Sequence, residues 1–135
     1  MSATAQEQHF LLFHLNLLNA FVENIQQQPP FNSDICSEND RSFLQALTDL
    51  CSSSAKPDFL AQGQELMCKV VTQYPHLMPL LYRDLLWFFG GDCLHFMPDD
   101  EISQYQQLDE LRYAANASGD DFSYENARAR ILGMH

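Results

Sequence analysis

Apolar residues recur at helical spacing from one end of the chain to the other, and strand-like alternation is hard to find. In residues 4–27 one stripe holds Phe10, Phe13, Leu17, Phe21 and Ile25, and a second holds Leu11, Leu15, Leu18 and Val22. Together they cover more than half the circumference, so this helix must be covered on more than one side, within a bundle or at a dimer contact. The Gln-rich run into Pro29 and Pro30 ends it, because proline lacks the N–H donor and clashes with the preceding turn. Ser37 or Asn39 is placed to cap a second helix lined by Phe43, Leu47, Leu50 and Cys51. Pro57 suits the first turn of a third, with Phe59, Leu66, Met67, Val70 and Tyr74 on its inner face. Gly63 weakens that helix by about 1 kcal/mol relative to alanine, a cost that a close helix–helix approach would offset.

The fourth predicted helix, residues 80–89, is apolar nearly all round and belongs at the centre of the fold. Gly90 and Gly91 read as a left-handed cap, and residues 92–97 as a short apolar linker. Pro98 opens a fifth helix through Ile102, Tyr105, Leu108, Leu111 and Ala115, which Ser118 to Asp121 breaks. A last short helix runs over 123–132. No internal period repeats. The expectation is an all-α fold: a single compact domain over residues 1–135, bundle-like, with five to six helices.

The chain has 135 residues, enough for one ordinary domain. Its longest apolar runs, 10–22 and 77–89, are thirteen residues each, whereas a spanning helix needs roughly twenty. No membrane partner is therefore expected. Residues 1–8 carry no Lys or Arg, which argues against a secretory signal. Cys36, Cys51, Cys68 and Cys93 form no Cys-x-x-Cys pair and read as reduced thiols in a cytoplasmic protein, with a disulfide framework as the minority reading.

Chemistry-bearing residues are densest between Gly90 and Glu101. Asp92, Cys93, His95 and Asp99 are the candidate ligand-binding residues. Cys93 with His95 would make a nucleophile–base pair only if the thiol pKa were lowered, and acidic surroundings work against that. The same residues suit zinc or iron by type, but their spacing matches no standard ligand pattern. The plainest account gives them structural work: glycines that cap, Leu94, Phe96 and Met97 that plug the core, and Asp99, Asp100 and Glu101 that complement a helix dipole. No catalytic residue, metal or cofactor is assigned on this reading.

Charge gives the other handle. Lys and Arg number 7 against 18 Asp and Glu, a net charge of −11 that disfavours direct binding to nucleic acid. Asp99, Asp100, Glu101, Asp109, Glu110, Asp120, Asp121 and Glu125 share the 98–125 stretch with one cation, Arg112. Such a surface steers a basic partner, although solubility alone would also account for it. Trp87 and Phe88 are candidate interface aromatics, and Asp99, Asp100, Glu101, Asp109 and Glu110 complete the candidate interaction surface. The leading expectation is a non-catalytic cytoplasmic protein that binds another protein and pairs with itself through the first or fourth helix. A small enzyme or a metal- or ligand-binding protein using residues 90–101 is the first alternative. An acidic decoy or immunity-type inhibitor of a nucleic-acid-binding protein is the second.

Overall fold

The computed structural model describes residues 4–134. Among them the chain is 73% helical with no strand. Six α-helices run in order: α1 Ala5–Ile25, α2 Glu38–Leu50, α3 Phe59–Gln73, α4 Arg83–Phe89, α5 Asp99–Ser118 and α6 Tyr124–Ile131. Two 3₁₀ segments, Pro75–Leu80 and Gly91–Phe96, flank α4. The all-α expectation holds, and those two 3₁₀ segments are what apolar periodicity did not reveal. No helix among the described residues is long and apolar enough to cross a membrane.

Local chemistry sets the helix ends. Ser37 caps α2, its side chain accepting from the Asp40 N–H at 3.1 Å. Ser123 does the same for α6, accepting from the Asn126 N–H at 3.2 Å. Gly119 closes α5 in the left-handed conformation, φ +74°. The helix expected over 80–89 is shorter than its apolar run, because α4 begins at Arg83. Pro79 lies inside the preceding 3₁₀ segment, and Leu81 and Tyr82 are extended at ψ 122°. Proline cannot donate the bond that an α-helix through this stretch requires, so the chain tightens and then restarts.

The chain divides into two compact units, Phe13–Phe96 and Met1–Leu12 with Met97–His135. In the first, the deeply buried side chains include Leu18, Phe21, Ile25, Leu47, Leu50, Met67, Val70, Leu77, Leu85 and Leu86. A β-carbon at Gly63 would lie 2.1 Å from Cε1 of Phe89, so α3 tolerates only glycine where α4 crosses it. The close approach that offsets Gly63's low propensity is therefore present. A stack of Phe31, Phe43 and Tyr74 fills the other end, with Phe43 and Tyr74 centroids 4.6 Å apart. Tyr74 Oη donates to Asp40 Oδ1 at 2.6 Å. In the second unit Tyr105, Leu108, Tyr124 and Ala127 are buried, and the Phe10 ring meets Tyr124 edge-on at 5.3 Å.

Candidate functional site

Residues 90–96 lie within the first unit, and their geometry starts from two glycines. Gly90 adopts φ +67°, ψ −151° and Gly91 φ +57°, backbone that other residues rarely enter. Gln64 of α3 sits against this turn, its Nε2 donating to the Phe89 carbonyl at 2.8 Å. A β-carbon at Gly91 would fall 2.6 Å from Gln64 Oε1. The glycine pair thus ends α4 while letting a side chain from α3 satisfy its last turn. The expected linker is in fact the 3₁₀ helix Gly91–Phe96, and Arg83 Nη2 anchors its end by donating to the Phe96 carbonyl at 2.8 Å.

That helix sorts the candidate residues by side. Asp92 and His95, one 3₁₀ turn apart, are exposed, whereas Cys93 is fully buried. Burial, followed by the neighbouring Cys68 thiol and Asp92, pushes the Cys93 thiol up to about 12. Its Sγ donates to the Gln64 carbonyl at 3.6 Å. A nucleophilic thiol requires the opposite environment, one that lowers the pKa beside an imidazolium. Cys93 and His95 therefore lie on different sides of one short helix. Asp99 is exposed in the first turn of α5 with Asp100, where both favour the helix dipole. No group of three or more His, Cys, Asp or Glu among the described residues is arranged to hold a metal ion.

The aromatic candidates are half-buried. Phe88 stacks on the buried His14 ring at 4.6 Å and 10°, and meets Phe59 and Phe89 near edge-on. Trp87 likewise keeps part of its surface in solvent, while Phe89 is buried. His14 is a core residue that the apolar pattern of α1 did not mark, since a polar residue inside a helical stripe carries no signal of its own. Its helical spacing to the buried Leu18, Phe21 and Ile25 puts it on the same face as they are.

The acidic stretch divides differently. Asp99, Asp100 and Glu110 are exposed, and Glu101 and Asp109 are partly covered. Arg112 is withdrawn from that surface, 9% exposed. Its guanidinium carbon lies 3.7 Å from the Phe10 ring centre and 4.5 Å from that of Tyr113, and Nη2 reaches Asp109 Oδ1 at a long 3.5 Å. The two rings take up the cation's flat faces, a favourable arrangement for a planar guanidinium. Leu111 and Tyr113, by contrast, stand 40% and 59% exposed on the same helix. Arg112 lies at helical spacing from Tyr105 and Leu108, but as a lone cation in an acidic run it reads as a counter-charge rather than as part of that stripe.

Comparison with known families matches residues 6–135 to one described as PA2817-like. The chain belongs to the PA2817-like family. No curated protein and no solved structure matches it. The family description names no substrate, cofactor or partner, so function has to be argued from the molecule itself.

Proposed function

We propose that this member of the PA2817-like family is a non-catalytic binding protein that docks a basic surface of another protein on the carboxylate face of α5. Burial of Arg112 carries the reading. The one cation between residues 98 and 125 is turned away from solvent, whereas Asp99, Asp100 and Glu110 stay exposed. A surface of one sign raises the rate of encounter with an opposite one and discourages like-charged competitors. Exposed Leu111 and Tyr113 supply the apolar contact that carboxylates alone do not.

This reading places the protein in the cytoplasm with its four thiols reduced, and pairs two copies through α1 or α4. The half-buried Trp87 and Phe88 and the exposed Leu12 support that pairing. Two experiments test it together. Light scattering should give a dimer mass. Affinity capture from lysate should retain a basic protein that is lost when Asp99→Asn, Asp100→Asn and Glu101→Gln are combined. Capture should also fail in about 0.5 M salt, where the screening length falls to about 4 Å. A strict monomer that retains no partner would overturn the proposal, and so would capture indifferent to salt and to the triple variant.

A further inference from the structure

Two of the four cysteines are brought together by the way the 3₁₀ helix Gly91–Phe96 lies on α3. Cys93 Sγ sits 3.6 Å from the Gln64 carbonyl. That carbonyl is also the helical acceptor for the Cys68 N–H, one turn further along α3. Side chains on an α-helix lean toward its N-terminus, so Cys68 reaches back over the turn that carries Gln64. The two thiols are accordingly neighbours: after burial, Cys68 is the largest influence on Cys93, ahead of the adjoining Asp92. Gln64 holds the arrangement twice over, its side chain donating to the Phe89 carbonyl at 2.8 Å and its own carbonyl accepting from Cys93. Arg83 pins the far end of the 3₁₀ helix through the Phe96 carbonyl.

The pair is unequal in access. Cys93 is fully buried, whereas Cys68 is half-buried and lines an open recess of about 370 Å³ together with Gln64, Glu65, Lys69 and Asp92. A reagent from solvent therefore meets Cys68 first and reaches Cys93 only through it. The recess sets the carboxylates of Glu65 and Asp92 against the ammonium of Lys69, on a chain of net charge −11, which favours a small neutral oxidant over an anionic one.

We infer that Cys68 and Cys93 form a redox-active dithiol that hydrogen peroxide closes to a reversible disulfide. The Cys68 sulfur attacks one peroxide oxygen, the O–O bond breaks, and the thiol proton leaves with the departing oxygen as water, so that Cys68 becomes a sulfenic acid. The Cys93 sulfur then attacks that sulfur. The S–O bond breaks, and the hydroxyl leaves with the Cys93 proton as a second water. Two thiols give up two electrons in all, and one peroxide is reduced to two waters. Held proximity is what lets a thiol closed to solvent act as the resolving partner. Such a bond is transient in a reducing compartment, so the resting protein keeps all four thiols. The inference is independent of the carboxylate face of α5, since it rests on α3 and the 3₁₀ helix packed on it.

The test treats the fully reduced chain, freed of reductant, with hydrogen peroxide, alkylates the remaining thiols, and maps unreduced digests by mass spectrometry. The expected product is an intramolecular Cys68–Cys93 linkage, lighter than the reduced chain by about 2 Da for the two hydrogens removed, and reversed by dithiothreitol. Cys36 and Cys51 should remain alkylated. Cys68→Ser, at the half-buried position, should leave Cys93 a thiol after the same treatment. Cys93→Ala should stop Cys68 at the sulfenic acid, which dimedone traps; the linkage in the unsubstituted chain decides the matter should that buried position not tolerate alanine. Three results would overturn the inference: a linkage of Cys68 to Cys51 or between two chains; Cys68 oxidised to sulfinic acid beside an intact Cys93 thiol; or four thiols surviving a peroxide dose that consumes free cysteine.

Discussion

At the residue scale, burial decides which of the chemically capable groups are kept inert. Cys93 lies in the interior against the Gln64 carbonyl, and desolvation raises its thiol to about 12, so almost none is thiolate near neutrality. Under iodoacetamide at about pH 7, native protein should lose its half-buried Cys51 and Cys68 thiols well before Cys93, with mass spectrometry resolving the order. Prompt labelling of Cys93 would contradict the packing described above. Tyr74 and Asp40 offer the converse case, a polar pair whose protonation states support each other. The Tyr74 hydroxyl, then Ser37, holds the Asp40 carboxyl below its usual range, while burial and then Asp40 push the Tyr74 phenol well above its own. A depressed carboxyl contributes stability above its unfolded pKa of 3.8 and loses it as pH falls through the folded value. A raised phenol contributes stability below about 10 and loses it as pH rises further. Tyr74→Phe should therefore cost roughly 1–2 kcal/mol at neutral pH in chemical denaturation, with the deficit shrinking below about pH 4.

At the scale of elements, apolar spacing and punctuation residues placed most of the α-helices to within a few residues. Ser37, Tyr74–Pro75, the Gly90–Gly91 pair and Ser123 all mark boundaries that the backbone observes. What spacing could not show is where a helix of the right composition becomes a 3₁₀ turn, because 3₁₀ and α segments bury similar residues and differ in hydrogen-bond reach. Residues 75–80 and 91–96 both fall in that gap. Gly63 gives the sharpest test of packing against propensity. In an isolated helix Gly63→Ala would stabilise by about 1 kcal/mol, yet here the new methyl meets the Phe89 ring, and a net loss of roughly 1–3 kcal/mol is expected in thermal or denaturant unfolding. The paired Gly63→Ala, Phe89→Leu variant should recover part of it. Ser37→Ala should cost about 1 kcal/mol through the lost cap of α2, with α3 unaffected by hydrogen exchange.

At the scale of the whole molecule, a net charge of −11 on 135 residues is a standing self-repulsion that salt screens. The melting temperature should rise by a few degrees as sodium chloride goes from about 20 to 300 mM, within reach of calorimetry. A flat or falling response would mean that local ion pairing outweighs the global field. The all-helical class, the helix boundaries marked by Ser37, Tyr74–Pro75, Gly90–Gly91 and Ser123, and the acidity of the 98–125 stretch were determined by the sequence alone, because each depends on residues close together along the chain. Tertiary structure decided which side each chemical group faces: Cys93 and His14 inward, His95 outward, and Arg112 off the acidic surface onto the ring of Phe10. Those placements arise between residues far apart in sequence, where no periodicity carries the information and only the competition among packed neighbours resolves it.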